Sequence, residues 1–78
     1  MKQVIIYSTP SCGWCKAAKQ YFNEHKVAYT EKDVATDVFA RDEMLAKSKQ
    51  MGVPVIDIDG EITIGFNQLR LAQLLEIA

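Results

Sequence analysis

The spacing of apolar and polar residues changes period several times along this chain, and each change marks an element boundary. Val4-Ile5-Ile6-Tyr7 is an unbroken β-branched and aromatic run, the pattern of a strand covered on both faces, as in a parallel sheet. Ser8 to Ser11 supply turn residues. From Gly13 the period becomes helical, with Ala17, Ala18, Tyr21 and Phe22 recurring through roughly His25. Val27-Ala28-Tyr29-Thr30 returns to strand character, so the chain opens β-α-β, with a right-handed crossover and parallel strands. Thr36 or Asp37 can cap a second helix, which is expected to turn Val38, Phe39 and Leu45 inward and Arg41, Asp42, Lys47 and Lys49 toward water. Gly52 closes the connection after it. Val53 to Ile58 and Glu61 to Ile64 flank Asp59-Gly60, a pair that favours a type I′ turn and therefore an antiparallel hairpin. Beyond Gly65, Asn67 can cap a last helix with an apolar stripe of Leu71, Leu74 and Leu75. The order β-α-β-α-β-β-α predicts an α/β fold with a four-stranded mixed sheet and three helices.

A chain of 78 residues, about half of them apolar, suits one compact domain spanning 1–78, without repeats, low-complexity tracts or a linker. A domain this small buries only about 60% of the surface its unfolded chain exposes, so its margin of stability is narrow. Nine Lys and Arg against ten Asp and Glu leave a net charge of -1 with no basic run, which argues against nucleic acid as a partner. The apolar run in MKQVIIYSTP is too short for a signal peptide or a bilayer span. The expectation is a soluble, cytoplasmic protein with no membrane partner.

Charge and size leave the cysteines as the chemistry to explain. Both lie in Ser11-Cys12-Gly13-Trp14-Cys15-Lys16, two residues apart, where the first strand gives way to the first helix. Cys12 is thus expected at a helix N-terminus, with Cys15 about one turn inside. Unpaired amide N–H groups and the positive end of the helix dipole favour a thiolate there, and such cysteines titrate at about 3.5 to 7.5 rather than about 8.5. Lys16 adds a nearby positive charge. Cys12, nearer the solvent, can attack a disulfide and form a mixed disulfide, which Cys15 is close enough to resolve.

Three other readings compete. A structural zinc site needs about four ligands, and beyond the two cysteines the chain offers His25 and carboxylates. A structural disulfide closing so short a loop stabilises little. Two inert core cysteines would have Gly13 and Trp14 between them, odd residues for a core. Redox chemistry leads, since C-x-x-C beside a β-α-β pattern reads as a thioredoxin-like redox motif. Trp14 is either an apolar lip for a partner peptide or an aromatic resting on its own helix. Tyr7 is read as core, Met44 and Met51 as core filler, and His25 as a favourable charge at a helix C-terminus. Lys16 and Lys19 give the first helix a basic side that either solvates it or steers an acidic partner or a glutathione carboxylate. Asp57 and Asp59 are read as turn and surface residues.

Tyr7-Ser8-Thr9-Pro10-Ser11-Cys12-Gly13-Trp14-Cys15-Lys16, Gly52-Val53-Pro54-Val55 and Ile64-Gly65-Phe66-Asn67 together resemble the glutaredoxin family, within the thioredoxin-like fold, over nearly the whole chain. The resemblance implies a dithiol thiol-disulfide oxidoreductase with Cys12 and Cys15 as catalytic residues. It implies a cis bond before Pro54 and a substrate groove formed by Thr9, Trp14, Lys16, Val53, Pro54, Gly65, Phe66 and Asn67, the Val53 backbone pairing with an extended substrate. The implied partners are a disulfide-containing protein and an electron source, either glutathione as co-substrate or a thioredoxin-reductase-like flavoprotein. No tightly bound cofactor or metal is implied, and the chain is expected to be a monomer. Phe66 stands where many glutaredoxins have a second glycine, and Thr9 where glutathione-binding members often carry a basic residue. Both departures remove groups that would bind the charged ends of glutathione, and in Gly65-Phe66 the chain is similar to the small glutaredoxin-like electron donors of ribonucleotide reductase. The alternative of another class is a glutathione-assisted 2Fe-2S cluster carrier, which Gly13, where many members have proline, leaves open.

Overall fold

A computed structural model describes residues 2–76. The elements are β1 (Val4–Ser8), α1 (Gly13–Glu24), β2 (Thr30–Asp33), α2 (Val38–Ser48), β3 (Val55–Ile58), β4 (Glu61–Ile64) and α3 (Gln68–Leu75). The sheet order is β2-β1-β3-β4, with β1 parallel to β2 and antiparallel to β3, and β3 antiparallel to β4. The two central strands have helices on both faces, which is why they are buried and mostly apolar, with Asp57 as the charged exception in β3. On one face Val4, Ile6, Ile56 and Ile58 pack with Ala18 and Phe22 of α1 and Leu71 of α3. On the other, Tyr7 and Val55 pack with Met44 of α2, flanked by Ile5, Val53 and Ile62.

Local chemistry sets the boundaries. Asp37 and Asn67 cap α2 and α3, their side-chain oxygens accepting the N–H groups of Ala40 at 3.1 Å and Arg70 at 3.1 Å. The hairpin turn has positive φ at both Asp59 (50°) and Gly60 (91°), as a type I′ turn requires. Among the described residues, no helix is long and apolar enough to cross a membrane.

The structure corrects several sequence expectations. The second strand is Thr30–Asp33, three residues later than the apolar run beginning at Val27. Val27 is occupied in closing α1, where its N–H donates to Phe22 O at 2.8 Å, and Val27 and Tyr29 pack on the core as the chain approaches the sheet. β2 is an edge strand, so it tolerates the polar sequence TEKD once its backbone pairs with Ile5 to Ser8. The third strand starts at Val55, because Val53 and Pro54 form the bend that enters it.

The face of α2 also differs. Ala40 and Met44 are buried, Val38 is exposed and Phe39 is 86% exposed. Glu43 and Lys47 turn toward the sheet instead, because buried polar groups wait for them there. Lys47 Nζ lies 2.7 Å from Asp57 Oδ2 and 2.8 Å from the Tyr7 hydroxyl, and that hydroxyl donates to Glu43 Oε1. Lys32 Nζ reaches the same carboxylate at 2.9 Å. Asp57 is therefore no surface residue: it is 7% exposed, and its Oδ1 also accepts the Gly60 N–H at 2.7 Å. Hydrogen bonds from Tyr7 and then Lys32 bring the Glu43 carboxyl down to about 2. Burial pushes the Lys47 ammonium toward neutrality, but its bonds to Asp57 and Tyr7 outweigh that and hold its pKa above the ordinary lysine value. Met51, expected in the core, is exposed in the loop before β3.

Candidate redox site

Four segments meet at one edge of the sheet because of strand direction. β1 and β2 both end there, with Ser8 opposite Asp33; β3 begins there and β4 ends there, with Val55 opposite Ile64. Two backbone bonds tie the loops together, Val34 N–H to Ser8 O at 2.9 Å and Gly65 N–H to Pro54 O at 2.8 Å. The turn after β1 closes with the Cys12 N–H donating to Thr9 O at 3.2 Å. Cys12 then serves as the N-cap of α1.

The cap is made by sulfur. With φ -84° and ψ 112°, Cys12 is extended, and its Sγ accepts the Cys15 N–H at 3.0 Å, the position an oxygen takes in an ordinary cap. The Cys12 and Cys15 sulfurs are joined as a disulfide, with the Cα atoms 5.2 Å apart. Exposure distinguishes the two residues. Cys15 is 0% exposed, on the core face of α1 with Ala18 and Phe22, whereas Cys12 is half-buried at the helix start, so a foreign sulfur can reach Cys12 and not Cys15. An added Cβ at Gly13 would meet nothing within 4 Å, which leaves the approach open.

Most of the residues singled out from the sequence lie in the loops at this same end of the sheet. Thr9 and Val53 are half-buried, Pro54 is buried, and the Val53-Pro54 bond is cis. Gly65 has φ 82°, a conformation that side chains disfavour, and it turns the chain from β4 toward α3. Phe66 is half-buried with its ring centroid 6.4 Å from that of Trp14, which is 67% exposed. Asn67 lies beside them, its side chain occupied by the α3 cap. Lys16 is exposed one turn into α1. His25 lies at the far end of that helix, its ring 4.4 Å from that of Tyr21. Lys19 does not simply solvate α1: it pairs with Glu31 at 2.6 Å, and Ser8 Oγ donates to the same carboxylate at 2.8 Å. The Lys19 bond and then the Ser8 bond lower the Glu31 pKa.

One feature of the edge escaped the sequence reading. Segments 8–15, 50–56 and 62–69 contain no Asp, Glu, Lys or Arg in a chain that is 24% charged. Trp14, Met51, Ile64 and Leu69, all exposed, lie in them. The charge-free stretches are visible in the sequence, but only the topology brings them together.

A four-stranded mixed sheet with a disulfide at a helix N-terminus beside a cis-proline bend defines a thiol-disulfide oxidoreductase of the thioredoxin-like fold. The glutaredoxin family model matches residues 4–63, and the chain belongs to the glutaredoxin family. It is 48% identical over 73 residues, 94% of this chain and 97% of the relative, to an uncharacterized glutaredoxin-like 8.6 kDa protein in the rubredoxin operon of Clostridium pasteurianum. It is 32% identical over 74 residues, 91% of this chain and 97% of the relative, to the glutaredoxin-like protein NrdH of Lactococcus lactis. Among solved structures, a mutant of the thioredoxin-like protein BC3987 superposes with a TM-score of 0.92 at 37% identity, over the whole of both chains.

Proposed function

We propose that this protein reduces disulfides of partner proteins, with Cys12 as nucleophile and Cys15 as resolving thiol. The observation that carries the reading is the asymmetry of the pair: Cys12 Sγ accepts an amide N–H at the helix start, and Cys15 is sealed from solvent. In the dithiol form the same amide and the helix dipole favour a Cys12 thiolate. That thiolate attacks one sulfur of the partner's disulfide, and the other sulfur leaves as a thiolate and takes up a proton. Cys15 then gives up its proton and attacks Cys12 Sγ. The intramolecular disulfide forms, the second partner thiol departs, and two electrons have passed to the partner.

Val53 and Pro54 on one side and Gly65 and Phe66 on the other cradle the partner chain, with Thr9, Trp14, Lys16 and Asn67 around them. The Val53 backbone pairs with an extended partner segment. Electrons come from a thioredoxin-reductase-like flavoprotein rather than from glutathione. This is supported by Thr9 in place of a basic residue, which leaves Lys16 as the one cation among the cradle residues for the two carboxylates of glutathione. The protein acts as a monomer, a single domain over 1–78, in the cytoplasm. Cys12→Ser is expected to abolish disulfide reduction, and Cys15→Ser to accumulate a mixed disulfide visible by mass spectrometry. Full reductase activity in Cys12→Ser would refute the assignment.

A further inference from the structure

Between α2 and β3 the chain crosses from Lys49 to Pro54 and arrives at the end of the sheet where the cysteine-bearing loop also begins. One side chain organises this crossing. Gln50 Oε1 accepts the Gly52 N–H at 2.6 Å, and Gln50 Nε2 donates to Gly52 O at 3.0 Å and to Ser48 Oγ at 3.3 Å. Ser48 Oγ in turn lies 2.8 Å from Met44 O, so the amide is tied to the last turn of α2. A group that pairs with both the N–H and the C=O of one extended residue takes the place of a neighbouring strand, and the next residue presents its own pair on the opposite side. That next residue is Val53. Its side chain packs against the cluster of Tyr7, Met44 and Val55, and among the described residues its N–H and C=O have no hydrogen-bond partner.

We propose that Gln50 is a positioning residue for the substrate: its amide holds Gly52 so that the free backbone pair of Val53 is set, before any partner arrives, to take an extended polypeptide as an added strand. The proposal rests on the reading that Cys12 attacks the disulfide of a polypeptide that pairs with Val53. Glycine is the reason a clamp is needed. Gly52 has more backbone freedom than any other residue type and stands directly before the residue that must pair, so an unheld Gly52 would have to be ordered by each incoming partner. Glycine is also what lets the clamp form. A Cβ at Gly52 would meet Gln50 Oε1 at 2.7 Å, a contact that pushes the amide away. The φ of Gly52 lies outside the left-handed region, so a side chain there disturbs the amide rather than the backbone. Beyond Val53, Pro54 O accepts the Gly65 N–H at 2.8 Å, which leaves the pairing residue held from both sides.

The test uses the whole reduced protein and a set of disulfide probes: a short uncharged peptide oxidised to its homodimer, the same peptide N-methylated at the cysteine and both its neighbours, and 2-hydroxyethyl disulfide, which has no peptide group. Each probe disulfide becomes two thiols as the protein dithiol becomes a disulfide, and acid-quenched samples give the second-order rate. Gln50→Ala is expected to slow reduction of the plain peptide about five- to twentyfold, the worth of one to two net backbone hydrogen bonds, and to change the rate with 2-hydroxyethyl disulfide by less than about twofold. Gly52→Ala is expected to do the same from the other half of the clamp, and the double variant to be no slower than either single one. The N-methylated peptide is expected to react slowly with the unaltered protein and to be insensitive to both substitutions. An equal fall with the plain peptide and with 2-hydroxyethyl disulfide, the mark of a loosened fold, or no fall with either, overturns the role of Gln50. Equal rates for the plain and N-methylated peptides in the unaltered protein overturn pairing at Val53, and the proposal with it. Failure to reduce any probe overturns the underlying reading of Cys12.

Discussion

Replacing Lys47 by Met removes the cation that ties α2 to the sheet while keeping most of the side chain's length. In the native protein Nζ lies 2.7 Å from Asp57 Oδ2 and 2.8 Å from the Tyr7 hydroxyl. Without it, the Asp57 carboxylate keeps only the Gly60 N–H, whereas Tyr7 can still donate to Glu43. Two reference values bracket the cost. Breaking a fully buried pair costs about 3–5 kcal/mol, and losing an exposed one costs about 0–1 kcal/mol. The Asp57 side chain is 9% exposed but that of Lys47 is 30% exposed, so water reaches the vacated place and the expected loss is about 2 kcal/mol. In a domain of this size that lowers the melting temperature by roughly 8–16 °C. Urea and thermal unfolding near neutral pH provide the assay. Lys47→Met/Asp57→Asn, which retains an acceptor for Gly60 and removes the orphaned charge, is expected to recover at least half of the loss. A single-mutant loss below about 0.5 kcal/mol, or a double mutant no better than Lys47→Met, would refute the pin.

Three further outcomes are expected. The Glu43 carboxyl titrates at about 2 in the folded protein against 4.5 ordinarily, so the stability it contributes is present above about 4.5 and is lost as the pH falls through about 2; the urea midpoint should drop across that window, less steeply in Glu43→Gln. On α2, Phe39→Ser should change stability by less than about 0.5 kcal/mol while Met44→Ala costs about 2–5 kcal/mol, and the reverse order in urea unfolding would restore the inward face expected from the sequence. Mixed in oxidised form with either electron source, the protein should support NADPH or NADH consumption with a thioredoxin-reductase-like flavoprotein and little with glutathione and glutathione reductase; preference for glutathione would contradict the reading of Thr9.

Where local chemistry decides, the sequence was legible. The buried run Val4 to Tyr7, the Asp59-Gly60 turn, the caps at Asp37 and Asn67 and the C-x-x-C at a strand-to-helix junction all depend on neighbours within a few residues, and they stand as expected. The misreadings have nonlocal causes. Phe39 looks like a core residue until the sheet presents the Tyr7 hydroxyl and Asp57, 32 residues earlier and 18 later, as polar groups that only Glu43 and Lys47 can satisfy. Thr30–Asp33 looks too polar for a strand until its place at the sheet edge is known. At the site, the spacing of the cysteines at a helix start identified the pair and placed Cys12 nearer the solvent, as it is, but did not reveal that three uncharged segments converge there. That convergence belongs to the topology.

The Cys12 thiol of the reduced protein is the quantity to measure, by the pH dependence of its alkylation or of thiolate absorbance, with Cys15→Ser as the reporter of a single thiol. A helix-capping sulfur that accepts an amide N–H is predicted to titrate below about 7.5, whereas a midpoint at or above the free-cysteine value of about 8.5 would contradict the account.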